Sequence, residues 1–434
     1  MAPLVQGLDG KFYGTTAEGG TNSLICNDVG CGTLFNVTSQ GTLKTLHSFC
    51  SQPNCADGFS PLAGLAETDD GDLYGTTVES GSAYLTGTVF VFTPGGTLTT
   101  LQNFLSVEAA FPSALVQATE TDFYGTAGYY GTPNGAGAVY KITNHGALTT
   151  VFQFNGTDEG GHPLAPLLEA SDGNFYGTTS GQCGGCGRGT VFRVSPSGTL
   201  TTLHTFHGTE GTNPEGGLVF GFDGNLYGTT VHGGTSNNCT NGCGTVFRIT
   251  PSGTLTTLHS FDGTDGANAY GALVLGTDGN FYGTTADYLE VGGGSGTIFK
   301  ITPDGTFTNV HTFTGTDGQF PAAGLIQATD GNFYGTTSRG GPQADGTVFK
   351  LSVGLGPFIR TLQPGGTVGS EVAILGNDLT GATSVTFNGR PAQFTVKLPT
   401  LIFTYVPTGA TTGTVKVMVG GETLSSNFPF YVRP

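Results

Sequence analysis

The sequence predicts an all-β protein: a seven-bladed β-propeller followed by an immunoglobulin-like β-sandwich. Three observations carry this expectation. The phrase Asn-Phe-Tyr-Gly-Thr-Thr, or a close variant, recurs seven times, with its tyrosines at Tyr13, Tyr74, Tyr124, Tyr176, Tyr227, Tyr282 and Tyr334. A period of about fifty residues belongs to propellers and related repeat architectures. Within each period lie four strand-like pieces, and beyond residue 353 the phrase disappears.

The fifth unit shows the four pieces most plainly. Strand A is Gly217-Leu218-Val219-Phe220, and an Asp223-Gly224 turn leads from it into strand B, Asn225 to Thr230. After a long loop comes strand C, Gly244 to Thr250; the turn Pro251-Ser252-Gly253 then leads into strand D, Thr254 to Phe261. β-branched and aromatic residues between Asp-Gly and Pro-x-Gly turns read as antiparallel hairpins. Four such strands per unit and seven units predict a ring of blades. A β-solenoid has a shorter period and lacks a hairpin between every strand pair. The seventh unit supplies A from Pro321, B over Asn332 to Thr337 and C over Gly346 to Ser352, with no clear D strand after it. That leaves three arrangements: a three-stranded blade, a blade completed by Pro357–Leu362, or one completed by a strand upstream of residue 1.

Residues 357–434 change character. Val372-Ala373-Ile374-Leu375, Val385-Thr386-Phe387 and Gly413-Thr414-Val415-Lys416-Val417 read as short sandwich strands with no inter-sheet cysteine pair. The domain boundaries expected are thus 1–353 and 357–434.

Composition agrees. Glycine is abundant at 76 residues, tryptophan is absent, and only 10% of residues are charged, which suits strands and tight turns rather than long helices. The net charge of −17 disfavours nucleic acid and anionic membrane surfaces as partners. No apolar run approaches a membrane span. Met1-Ala2-Pro3-Leu4 runs straight into a repeat unit, without a signal-peptide pattern, as a trimmed chain does. Eight cysteines form four close pairs, Cys26/Cys31, Cys50/Cys55, Cys183/Cys186 and Cys239/Cys243, each within one loop. Local pairing predicts disulfides and an oxidising compartment. The rival, a metal site, is poorly served by one C-x-x-C with two ligands where structural zinc takes four.

The phrases DGNFYGTT (172–179), GTVFRIT (244–250) and GTLTTLHSF (253–261) resemble the GloVer tandem repeat of bacterial extracellular proteins, over residues 1 to about 353. The resemblance implies export and surface association, with no defined activity. Residues 357–434 resemble the IPT/TIG immunoglobulin-like family, whose bacterial surface members act as spacers or docking units.

Strand order places the B–C loops and the D–A loops on one face. Those loops are the long ones, and all the cysteine pairs lie in them. Long loops on a rigid frame are where binding concentrates. Residues that recur at one position from unit to unit read as scaffold: His47, His204, His259 and His311 in strand D, and the turn residues Asp172, Asp223, Asp278 and Asp330. The carboxylates of the recurring Gly-Thr-Asp/Glu-Gly phrase, Asp158, Glu210, Asp265 and Asp317, read first as turn residues. As a ring of oxygens they would suit calcium, though not in an EF-hand spacing; no other cofactor or metal is indicated.

Departures from the repeat are the candidate site. Ahead of strand A, where most blades place small or apolar residues, blades four to six offer His162, then Asn213 and Glu215, then Asn268 and Tyr270. His232 and Arg339 are departures in B–C loops, aligned with Glu18. Such a group can hydrogen-bond a polyhydroxylated ligand, and Glu215, His162 and Tyr270 can do acid–base work; the plain alternative is solvated polarity at a channel rim. Three functions follow. One is a non-catalytic surface protein that binds a glycan or other cell-surface ligand. Another is a glycoside hydrolase or polysaccharide lyase working at the channel mouth of blades four to six. The third is a structural surface-layer or filament component.

Overall fold

A computed structural model of the chain describes residues 2–21, 26, 29–80, 85–105, 110–118, 122–129, 135–157, 159–181, 188–287 and 294–433. The fifth repeat forms one antiparallel sheet in the order A, B, C, D, from Val219–Phe220, Leu226–Thr230, Thr245–Ile249 and Leu255–Ser260. Among the described residues there are seven repeat sheets of this kind. The third adds a strand, Ala110–Pro112, against its strand B. The seventh stops at three strands. Residues 357–362 do not complete it, because Arg360–Thr361 pairs with Glu371–Leu375 of the second domain.

Each letter of the repeated phrase has a physical task. The glycine after the tyrosine lies under the strand C aromatic ring: a Cβ on Gly228 would come within 2.5 Å of Phe247 Cζ, and on Gly283 within 2.5 Å of Phe299 Cζ. The first threonine reaches the next blade, as Thr229 Oγ1 donates to the Gly271 carbonyl at 3.1 Å and Thr284 Oγ1 to that of Ala323 at 3.0 Å. The second threonine shares a hydroxyl hydrogen bond with the threonine that opens strand C, as in Thr230–Thr245 at 2.9 Å and Thr285–Thr297 at 2.8 Å. The tyrosine hydroxyl donates back to the Asp of the A–B turn, Tyr227 to Asp223 at 2.9 Å and Tyr334 to Asp330 at 2.9 Å. Burial alone would raise Asp223, but hydrogen bonds from Asn225 and Tyr227 outweigh it and hold the carboxyl below its ordinary range. Tyr227→Phe is therefore expected to cost about 1–2 kcal/mol, since it removes a hydrogen bond to a charged acceptor; urea unfolding measures it.

Aromatic rings join the blades. The strand B tyrosine of one blade packs on the strand B phenylalanine of the next: Tyr74 on Phe123 at 4.2 Å, Tyr227 on Phe281 at 4.0 Å, Tyr282 on Phe333 at 4.2 Å. Tyr334 of the seventh sheet stacks on Phe12 of the first at 4.0 Å, and Gln6 donates to Thr329 at 2.9 Å. Last and first sheets thus meet, and the repeats close into a propeller-type ring. Strand A of the fifth sheet touches that of the sixth, and the sixth touches the seventh, which puts these strands at the ring's centre.

The second domain is a sandwich. One sheet holds Arg360–Thr361, Glu371–Leu375, Leu401–Tyr405 and Phe394–Leu398; the other holds Arg390–Ala392, Ala382–Phe387, Val415–Val419 and Glu422–Ser425. Ile374, Ile402, Val385, Phe387, Val417 and Phe430 are buried in one cluster between them. The domain docks on the A–B turn side of the ring, across the junction of first and last sheets. Thr400 Oγ1 donates to the Leu8 carbonyl at 2.6 Å and Arg360 Nη2 to that of Gln6 at 3.2 Å, while the Phe358 amide donates to the Thr329 carbonyl at 3.0 Å. Leu8 is buried with Ala373, Leu375 and Leu401.

Candidate functional site

The face that carries the B–C and D–A loops is built from two recurring devices. In the first, the strand D histidine meets a carboxylate further along the chain. His204 Nε2 lies 2.7 Å from Glu210, His259 2.7 Å from Asp265, His311 2.8 Å from Asp317, and in the first blade His47 lies 2.9 Å from Asp57. The same carboxylates cap their own loops, as Asp265 Oδ1 accepts from the Asp262 amide at 2.9 Å. Two features of the sequence, the histidines and the Gly-Thr-Asp/Glu-Gly phrase, are thus one structural unit. Asp158, the remaining member of the proposed calcium-binding ring, lies outside the described residues. Among the described residues no group of three or more His, Cys, Asp or Glu is placed to hold a metal ion.

The second device is a left-handed backbone position ahead of strand A. Ser60, Phe111, His162, Asn213, Asn268 and Phe320 take φ values of 54° to 57°. The amide of this residue donates to the carbonyl just before strand C of the preceding blade, as Asn268 to Cys243 at 3.0 Å, and its carbonyl accepts from just past strand B of its own blade, as from Ala286 at 3.1 Å. Asparagine tolerates this conformation and histidine or phenylalanine does so at a cost of about 1–2 kcal/mol. Nothing in the spacing of the sequence signalled it, because the residue type varies while the backbone does not.

The site residues divide on this frame. Asn213 Nδ2 donates to the Ser180 carbonyl at 2.8 Å and Asn268 Nδ2 to that of Val231 at 3.2 Å; both amides tie a blade to the one before it. Asn268 Nδ2 also lies 3.5 Å from His232 Nδ1, so these two predicted residues do come together. Burial pulls the His162 imidazole below its ordinary value, against a backbone hydrogen bond at Gly135, so it stays neutral at pH 7. Arg339 lies with its guanidinium 5.8 Å from the centre of the Phe320 ring. Glu18, His232 and Arg339 share one register: their carbonyls accept from Thr16, Thr230 and Thr337. Glu18 is exposed in the first blade, apart in sequence order from blades four to six.

Glu215 and Tyr270 stand one residue ahead of Gly216 and Gly271, whose backbones abut so closely that a Cβ on Gly216 would lie 2.8 Å from the Gly271 oxygen. That contact brings Glu215 and Tyr270 to neighbouring strand A lead-ins, those of blades five and six. Burial pushes the Glu215 carboxyl up to about 7, so near neutral pH it exchanges between hydrogen-bond donor and acceptor.

Disulfides join Cys26 to Cys31, Cys50 to Cys55 and Cys239 to Cys243. Cys183 and Cys186 lie outside the described residues. Such bonds belong to an oxidising compartment.

A further concavity was not legible in sequence. A cleft of about 910 Å³ opens between ring and second domain, lined by Asp9, Tyr13, Glu67, Asp69, Glu371 and Lys397 among others. It exists only once the two domains dock, and its residues read singly as strand ends and turns.

The Gloeobacter/Verrucomicrobia repeat family matches residues 1–241 and 235–374, and the IPT/TIG domain matches residues 357–432. No curated protein matches the chain by sequence. Among solved structures it is similar to the Pseudomonas aeruginosa periplasmic gluconolactonase PpgL, at 17% identity and a TM-score of 0.52 over 91% of this chain and 99% of that one. It is also similar to PorZ, a surface component of the type-IX secretion system of Porphyromonas gingivalis, at 13% identity and a TM-score of 0.51 over 98% of this chain and 58% of that one. Puromycin hydrolase is similar at 14% identity and a TM-score of 0.51 over 87% of this chain and 58% of that one. At these identities the likeness is one of fold.

Proposed function

The chain belongs to the Gloeobacter/Verrucomicrobia repeat family, and on that premise we propose a bacterial extracellular or cell-surface protein that recognises a glycan or another polar ligand on the loop-rich face of its ring. The observation that supports this reading is the close approach of the strand A lead-ins of blades five and six at Gly216 and Gly271, each one residue past Glu215 and Tyr270. A tyrosine and a carboxyl that can donate or accept, carried on neighbouring lead-ins, suit a neutral polyhydroxylated ligand. Disulfides shorten the freedom of the surrounding loops, which lowers the ordering cost of binding. The second domain serves this reading as a spacer behind the ring.

A second reading is a carbohydrate-active hydrolase or lyase. It is favoured by the Glu215 value of about 7, which suits a general acid at neutral pH. A periplasmic gluconolactonase, matched over 99% of its chain, supports this reading by analogy of fold alone.

One experiment separates the two: a glycan array with a parallel hydrolysis screen, comparing the wild type with Glu215→Gln. Binding expects capture of a defined glycan set, weakened at least about tenfold in the variant, with no turnover in either protein. Catalysis expects turnover that the variant loses while binding persists. Silence of the wild type on both screens would sink both readings. Glu215→Gln also carries a stability signature. A carboxyl raised from 4.5 to about 7 on folding contributes stability that is complete below pH 4.5 and lost as pH rises through 7. The variant is therefore expected to match the wild type at pH 4 and exceed it by about 2 kcal/mol at pH 8, as thermal melts at the two pH values will show.

A further inference from the structure

The residue that ends strand A reaches back to the preceding blade. Gln6 Oε1 accepts from the Thr329 amide at 3.0 Å, while its Nε2 donates to the Thr329 hydroxyl at 2.9 Å. Gln327 does the same to Thr277, at 3.0 Å and 3.1 Å. In the second blade, whose strand A is Ala66–Glu67, an acid holds that place. Glu67 Oε1 keeps the first bond, from the Leu8 amide at 3.0 Å. Leu8 stands where Thr329 and Thr277 stand in their blades and offers no hydroxyl. Glu67 Oε2 is buried and has no hydrogen-bond partner among the described residues. The frame of the ring therefore accounts for one oxygen of this carboxyl and not for the other.

Two atoms of the second domain share that condition. Arg360 Nη2 donates to the Gln6 carbonyl at 3.2 Å, but Arg360 Nε is buried without a partner among the described residues, and so is Gln363 Oε1. Glu67, Arg360 and Gln363 line one space of about 590 Å³, between Val5, Ala66 and Gln117 of the first three strand A segments and the 361–371 stretch of the second domain. Small-molecule sites run from about 300 to 1,000 Å³. This one lies on the A–B turn side of the ring, away from the loop-rich face. A polar atom left unpaired in a folded interior is costly, so three of them around one space call for a molecule that pairs them.

We propose that this space binds a free α-amino acid, with Glu67 and Gln363 holding its ammonium group and Arg360 its carboxylate. Glu67 Oε2 and Gln363 Oε1 accept hydrogen bonds and Arg360 Nε donates one, so the ligand must offer both kinds of group. Charge narrows the choice. A simple cation leaves the buried guanidinium uncompensated, an anion leaves the carboxylate so, and a neutral polyol compensates neither. A zwitterion matches both within one small molecule. The other charged residues of the lining are Asp69, Glu371 and Arg433, which brings the walls to three carboxyl groups against two guanidiniums and turns anions away. A molecule bound here touches the ring and the second domain together, so it favours their docking.

The test titrates the full chain with each of the common L-amino acids by isothermal calorimetry. Saturable one-to-one binding is expected for at least one of them. Its N-acetyl and α-amide forms, each short of one charge, are expected to bind at least about tenfold more weakly. Glu67→Gln installs the residue that Gln6 and Gln327 already show to fit this register, so the blade frame is kept, and it is expected to weaken binding at least about tenfold. Gln363→Leu is expected to weaken it about two- to tenfold, the value of one neutral hydrogen bond. The bound amino acid is also expected to slow proteolysis in the 353–357 linker. Absence of saturable binding across the amino acids, equal binding of either blocked form, or binding that both variants leave intact would overturn the proposal.

Discussion

Phe261→Ala is expected to lower the unfolding free energy by about 3–5 kcal/mol, the range for a phenylalanine removed from a packed interior. The residue has no solvent exposure. It ends strand D of the fifth blade and touches the sixth through Phe299 at 5.3 Å and Phe307 at 5.8 Å, while His259 of its own strand stands 5.1 Å away. The hole left behind has little means of collapsing. Phe299 is fixed over Gly283, where there is no room even for a methyl group, and His259 is held by Asp265 at 2.7 Å. Cavity energy therefore adds to the lost transfer energy, and the variant should sit at the upper end of the range. Phe261→Leu, which fills most of the volume, is expected to cost less than half as much. Equilibrium urea unfolding with an unchanged slope is the measurement; a loss under 1 kcal/mol would mean that blades five and six are not packed through this ring.

Arg360→Met is expected to cost about 3 kcal/mol at pH 8 and clearly less at pH 5. Arg360 carries the second domain's guanidinium to the Gln6 carbonyl, and its charge favours the ionised form of Glu67. Glu67 Oε1 accepts from the Leu8 amide at 3.0 Å, yet burial, outweighing that bond and Arg360, pushes the carboxyl up to about 7. Removing the partner of a buried charge is costly when the charge stays. Below pH 7 Glu67 takes up a proton and escapes that cost. The wild type shows the same sign more gently: a carboxyl raised on folding gives stability that is full below pH 4.5 and is lost as pH rises through 7. Docking should thus be tighter at pH 5 than at pH 8, the variant should steepen that trend, and Glu67→Gln should flatten it in either background. Proteolysis rates in the 353–357 linker report docking directly, and a pH-independent loss in Arg360→Met would refute the electrostatic account.

The frame was legible in the sequence because repetition marks it. Tyr227, Gly228, Thr229 and Thr230 recur as a phrase, and each turns out to serve a contact that also recurs. The strand D histidines read as scaffold for the same reason; the partners of His204, His259 and His311, six residues on, were visible as a second phrase, but nothing in one dimension joined the two. Asn213 and Asn268 show the limit of reading departures as function. They differ from their counterparts because asparagine settles into a left-handed position, and they use their amides to sew blades together. Glu215 has no such backbone reason, and its burial could not be read from neighbours in sequence. The docking of the second domain was equally hidden, since Gln6, Leu8 and Thr329 look like ordinary repeat residues until residues near 360 and 400 arrive against them.

That last contact has a consequence for how the molecule is made. The bonds that hold the first blade in place span 323 residues to the last blade, and 354 and 392 residues to the second domain. Blades two to six can form as each hairpin leaves the translocation or synthesis machinery, because their contacts are with the next fifty or so residues. The first blade cannot gain its flanking partner, nor the junction its clasp, until nearly the whole chain has emerged. Completion of the circle is then a late, single event, separate in time from the growth of the blades, and the exposed flank of the first blade is where an unfinished chain most needs protection from misassembly.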